Sequence, residues 1–255
     1  MIRRLTLLAF LAAAAVLATA AGNSDLWRKR PAGFAWGVDF SGSRTTSPNG
    51  IAATLAGNAS VSSRKLVLDG TGDWITTDDA AGLDVGDDFS VSVWVQPNAP
   101  GTGATRIPVA RYLAGSNKRS WVLSLRYADT PQRVFGVVGE GAAALIIYAF
   151  NQTLPTTGWH HYVMVYSKSA GAGLRVRLYY DGAEVPVSTL LADVAASPFA
   201  TDIGLRIGND NDGTSATAWK GDIGTTILLN RAITQSEASS LYNTGAARIA
   251  AGGTP

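Results

Sequence analysis

Side chains able to do chemistry are sparse here and badly spaced for it. Of 255 residues two are histidine, none is cysteine and three are glutamate, Glu140, Glu184 and Glu237. Without cysteine there is no thiol nucleophile, zinc–thiolate site or disulfide. His160 and His161 are neighbours in Gly158-Trp-His-His-Tyr-Val-Met-Val-Tyr166, which alternates as a strand does. Adjacent strand residues point to opposite faces, so the pair does not act on one substrate. No G-x-S-x-G elbow is present, and a catalytic triad is excluded. Glu237 closes the capping box Thr234-Gln-Ser-Glu237, and Glu184 follows a hairpin turn. Neither has an acidic partner nearby in sequence, so no enzyme activity is expected.

Binding chemistry has more material. Asn209-Asp210-Asn211-Asp212-Gly213 concentrates oxygen donors in one loop. Calcium takes six to eight such oxygens, which makes Asn209, Asp210 and Asp212 the candidate calcium ligands. The same residue types also serve any tight turn, and the spacing is not that of an EF-hand. Aromatic rings stack on the apolar face of a pyranose. Tyr148, Tyr180 and Trp219, on strands or beside loops, are the candidates for ligand contact. The competing reading is that sandwich cores are themselves aromatic.

Charge narrows the partners. Of 21 basic residues two, Arg3 and Arg4, precede every acidic one, which leaves 19 against 19 for the remainder of a chain with formal net charge +2. A nucleic-acid footprint needs clustered excess charge, and only Arg28-Lys29-Arg30 comes near it, so nucleic acid is excluded. Residues 1–20 read as a secretory signal peptide, or as a retained N-terminal anchor, with a basic start, an apolar run and Ala18-Thr-Ala20. Membrane contact is expected only through this leader, if it is uncleaved. A basic linker, 21–33, follows it.

The elements that must position these residues are mostly strands. Phe89-Ser-Val-Ser-Val-Trp-Val-Gln96 puts Phe89, Val91, Val93 and Val95 on one face, the mark of a strand buried against a second sheet. Further runs are Phe34–Phe40, Trp121–Tyr127, Arg133–Val138, Leu145–Phe150, His161–Ser167, Arg175–Tyr180, Leu205–Gly208 and Asp222–Leu229. Asp181-Gly182 is a hairpin turn. After the capping box, Ala238, Leu241 and Tyr242 give one helix an apolar face, and Gly245 sits where that helix would end. The pattern predicts an all-β antiparallel sandwich over 34–245, with a flexible tail over 246–255.

In order along the chain, Leu66-Val-Leu-Asp-Gly-Thr-Gly-Asp-Trp-Ile75, Asp88–Pro97, Gly158–Tyr166, Leu178-Tyr-Tyr-Asp-Gly182, Arg206-Ile-Gly-Asn209, Trp219–Ile223 and Leu229–Ala238 resemble the laminin G-like domains of the concanavalin A-like lectin/glucanase superfamily. The resemblance implies a jelly-roll sandwich of two curved antiparallel sheets with one short C-terminal helix, and rim loops that often hold calcium. Gly224-Thr225-Thr226 stands where relatives often carry paired aspartates, and the E-x-D-x-E strand of the glucanases is missing. The expectation is a non-catalytic binding or adhesion domain, secreted or displayed on a cell surface. It would recognise a glycan or a protein surface through rim loops or the concave sheet. One alternative is a decoration protein at a virion surface, with capsid or surface-layer subunits as partners and the N-terminal arm as anchor. The other is an atypical glycoside hydrolase.

Overall fold

Both faces of the strand Phe89–Gln96 are buried, and the reason organises the whole molecule. Phe89, Val91, Val93 and Val95 are fully buried between two sheets, while Ser90, Ser92 and Trp94 on the opposite face are 1%, 3% and 3% exposed. The second burial comes from the C-terminal helix and the segment leading into it. Ser90 Oγ donates to the Arg231 carbonyl (2.8 Å) and accepts from the Ile233 amide (3.0 Å). A serine there is small enough for that segment to lie flat on the sheet.

The computed structural model describes residues 31–40, 51–101 and 104–255. The leader and residues 21–30 of the basic linker lie outside the described residues. Five short strands come first: β1 (Phe34–Val38), β2 (Ala53–Ala56), β3 (Ser60–Ser62), β4 (Lys65–Asp69) and β5 (Trp74–Thr77). The long central strands are β6 (Asp88–Pro97), β7 (Thr105–Leu113), β8 (Lys118–Arg126), β9 (Arg133–Gly141), β10 (Ala143–Asn151) and β11 (His160–Ser167). Then follow β12 (Val176–Tyr180), β13 (Ala183–Val185), β14 (Thr189–Asp193), β15 (Arg206–Ile207), β16 (Lys220–Leu229) and helix α1 (Gln235–Ala250). The first sheet runs β13-β12-β11-β6-β16-β4-β3, with β1 added beside β16, and the second runs β14-β10-β9-β8-β7-β15-β5-β2. The pairings are antiparallel, so the jelly-roll-like sandwich read from the sequence is the fold. Among the described residues no helix is long and apolar enough to cross a membrane.

Two elements differ from the reading. Strand β7 is central, yet its Thr-Arg-Ile-Pro-Val-Ala-Arg-Tyr-Leu run does not alternate cleanly. Its register shifts between Arg106 and Val109, a bulge that accommodates Pro108, which has no amide to give a ladder. Helix α1 does not stop at Gly245 but continues to Ala250. Gly245 lies in mid-helix because a side chain there would overlap the Trp94 indole. Nor is the tail free. The Pro255 carbonyl accepts from the Thr225 amide (3.2 Å) and hydroxyl (2.8 Å), at the bulge where β16 slips against β6 between Ile223 and Thr226.

Gly245→Ala is accordingly expected to lower the thermal midpoint. Alanine gains about 1 kcal/mol over glycine in a helix interior, but overpacking against a fixed ring costs about 1–3 kcal/mol. A raised midpoint would show that the helix does not seat on Trp94.

The capping box forms as read. The Glu237 amide is 3.3 Å from Thr234 Oγ1, and the Thr234 amide donates to Glu237 Oε2 (2.9 Å). The Arg231 guanidinium, on both Glu237 oxygens, and the Thr234 amide hold the Glu237 carboxyl down to about 2.

Candidate functional site

The two histidines separate as strand geometry requires. His161 is fully buried beneath α1 in a cluster of three stacked rings with Trp94 (centroids 4.8 Å apart) and Tyr242 (6.3 Å), which stack on each other at 5.6 Å, and its Nε2 lies 2.8 Å from Ser92 Oγ. Burial pushes its imidazole down to about 3, and Nδ1 has no partner among the described residues. His160, across the strand, stacks on Tyr180 (5.4 Å). Its Nδ1 lies 2.9 Å from Asp181 Oδ2 and 2.8 Å from the Tyr180 hydroxyl. Asp181 and Gly182 both take positive φ, which the tight β12–β13 turn requires.

Of the aromatic candidates, Tyr148 and Trp219 are fully buried in the core between the sheets. This corrects their reading as ligand contacts, because alternation turns both rings inward and leaves no face for a sugar. The Tyr148 hydroxyl accepts from the Arg175 amide (3.2 Å). Tyr180 is half-buried at the end of the sandwich, its hydroxyl committed to His160.

The oxygen-rich loop binds itself. Asn209 is wholly buried, and its Oδ1 accepts from the Asp210 amide (2.9 Å) and the Thr217 hydroxyl (2.6 Å). Asp210 Oδ1 accepts from the Gly213 amide (3.3 Å), and burial together with Asp212 pushes its carboxyl above the ordinary range. Asp212 reaches toward the Ala114 and Gly115 amides, each at 3.4 Å. These contacts tie the loop together from within. Among the described residues no three His, Asp or Glu side chains gather as a metal group.

A second apolar cluster lies outside the core between the sheets, and its members are buried too. On the outer face of the second sheet, Ile107, Ala110, Val122, Phe135, Val137 and Ala149 form an apolar floor, with Tyr112 and Ile147 against it. The loop after β15 borders it, tied to β7 at Tyr112 and Ile107. Asn211 and Tyr112 exchange bonds of 2.9 and 3.0 Å, and the Ile107 amide donates to the Thr217 carbonyl (3.0 Å). Three arginine–aromatic contacts lie on this face. Arg206 lies 4.4 Å over Trp74, and Arg126 and Arg133 lie 4.1 and 5.1 Å over Phe135. Sequence reasoning missed these residues. Val122, Ser124 and Arg126 visibly share a parity, but nothing local says that Phe135 and Arg133 lie beside them.

The glutamates are dispersed. Glu140 is exposed at the end of β9, Glu184 is exposed on β13 of the other sheet, and Glu237 caps α1.

Domain 4 of a GH43 extracellular arabinanase from Geobacillus stearothermophilus, solved with arabinotriose, is similar in fold: TM-score 0.61, 20% identity, 83% of this chain and 98% of that one. The binding domain of Paraclostridial Mosquitocidal Protein 1 gives TM-score 0.60 at 10% identity, over 83% of this chain and 52% of that one. Trypanosoma rangeli sialidase, in complex with the inhibitor DANA, gives 0.58 at 18%, over 83% and 33%. No curated protein matches the sequence. The laminin G-like family model matches residues 69–239, the span that holds β6 through β16 and the start of α1, and on that match the chain belongs to the concanavalin A-like lectin/glucanase superfamily.

Proposed function

We propose that this protein is a non-catalytic binding domain, exported through its leader, that takes a glycan or a protein surface on the outer face of the second sheet. One observation carries the reading. Helix α1 covers the outer face of the first sheet, whereas the outer face of the second carries a buried apolar cluster bordered by the half-buried Trp74–Arg206 pair and the exposed Arg126 over Phe135. An apolar surface with a few convergent polar groups is what ligand sites are made of. The scattered glutamates support binding without hydrolysis, which requires two carboxyls across one scissile bond. The similarity to an arabinanase domain solved with arabinotriose supports a glycan as the first class to test.

The full chain, tested against immobilised polysaccharides, is expected to bind at least one and to release no reducing sugar from it. Trp74→Ala and Tyr112→Ala are expected to weaken that binding at least tenfold. Binding that ignores both substitutions, or sugar release at a steady rate, would overturn the proposal.

A further inference from the structure

Arg126 and Arg133 stand directly opposite each other where β8 and β9 end. Both guanidiniums lie over one phenyl ring, that of Phe135, at 4.1 and 5.1 Å from its centroid. Like charges directly opposed across a sheet are unfavourable, so the pair calls for an anion. Arg133 has one, with Nε donating to Asp129 Oδ2 at 2.8 Å. Arg126 is exposed and has no carboxylate partner among the described residues. Its guanidinium carbon lies over the ring while the side chain as a whole is exposed.

The register extends this pair into a row. Thr105 of β7 pairs with Arg126, and Asn151 of β10 pairs with Arg133, which gives Thr105–Arg126–Arg133–Asn151 across four strands. Arg126, Arg133 and Asn151 share the parity of Val122, Phe135 and Ala149 and so belong to the outer face. Beside the row is a cleft of about 220 Å³ lined by Pro131, Gln132, Asn151, Gln152 and Thr153. Its side-chain amides and hydroxyl are neutral donors and acceptors suited to sugar hydroxyls, next to one uncompensated cation.

The geometry points to a subsite for an anionic sugar, with its carboxylate or sulfate on the Arg126 guanidinium and its ring hydroxyls on the amides of the cleft. A planar guanidinium matches a carboxylate with two parallel bonds, which an ammonium does not. This inference rests on the proposal that the outer face binds ligand and names the ligand class.

The test titrates the full chain with polygalacturonate, dextran sulfate, neutral dextran and neutral arabinan. An anionic polymer is expected to bind at least tenfold more tightly than either neutral one, and more weakly as salt rises. Arg126→Gln should remove that preference and Arg126→Lys should restore only part of it. Lys168→Gln, which deletes an equal charge from an exposed side chain where β11 ends, far from Arg126 along the strands, should leave it unchanged. Arg126 is exposed, so each variant should keep the wild-type thermal midpoint. Which anionic polymer depends on Arg126 separates carboxylate from sulfate. Equal binding of neutral and anionic polymers, or a preference that survives Arg126→Gln, overturns the anionic subsite. If Trp74→Ala still abolishes the neutral binding, the binding function itself stands. Binding to no polymer overturns the subsite, and a glycan ligand with it.

Discussion

Replacing Arg111 by methionine is expected to destabilise the fold by about 3 kcal/mol, out of a total that for domains is about 5–15 kcal/mol. Arg111 is fully buried, and every polar contact it makes is to a segment that crosses the sandwich end. Its Nη1 donates to Asp84 Oδ1 (2.5 Å) and its Nη2 to Asp79 Oδ1 (2.9 Å), both in the stretch before β6. Nε donates to the Ile203 carbonyl (3.0 Å) and Nη2 to the Thr201 carbonyl (2.6 Å), in the stretch before β15. One side chain on β7 therefore ties two crossing segments together. Removing one partner of a buried pair costs about 3–5 kcal/mol when the other charge stays buried. Here Asp79 and Asp84 keep 43% and 37% of their side-chain surface and can rehydrate, which places the cost at the lower end. The Thr201 carbonyl is enclosed and loses its donor outright, at about 1–3 kcal/mol for a buried unmet group. Chemical denaturation reads the difference. A shift below about 1 kcal/mol, the size of an exposed ion pair, would mean that the two segments hold without Arg111.

Between pH 6.5 and pH 5 the unfolding free energy is expected to fall by about 2 kcal/mol, at about 1.4 kcal/mol per pH unit for one proton. The group responsible is His161. Its folded-state value is pushed down to about 3 by burial under α1, against about 6.5 in an unfolded chain. Below pH 6.5 the unfolded state binds a proton that the native state refuses, so stability is full above that pH and drains as pH falls toward 3. Glu237, held to about 2 by Arg231 and the Thr234 amide, acts in the same direction but lower, as pH falls below the ordinary glutamate range. The window from 6.5 to 5 keeps Glu237 out, while the raised Asp73 and Asp210 carboxyls act in the opposite sense and are common to wild type and variant. His161→Phe keeps a ring against Trp94 and Tyr242 but leaves Ser92 Oγ without its partner, which lowers stability by the same amount at every pH. Its profile across that window should lack the wild-type fall. A slope equal to that of the wild type would acquit His161.

The fold and the site were unequally legible. Phe89, Val91, Val93 and Val95 alternate within one strand, and the Thr234–Glu237 box is complete within four residues. Information that local determines an element wherever it occurs, so the sandwich, the hairpin at Asp181-Gly182 and the start of α1 were all readable. The opposed faces of His160 and His161 followed from adjacency alone. Gly245 was misread because glycine ends many helices, and only Trp94, 151 residues away in sequence, explains why it sits inside this one. Tyr148 and Trp219 were misread for the reason that aromatic identity does not say which way a strand faces.

What the sequence determined by itself is therefore the family, the two-sheet architecture, the balanced charge and the absence of thiol or triad chemistry. What only the tertiary structure decided is which sheet face α1 covers, and that Arg126, Arg133, Phe135 and Asn151 meet on the outer face of the other sheet. The physical reason is that a side chain's face is set by alternation within its own strand. Its neighbours are set by the register of other strands, and register is a property of the assembled sheet.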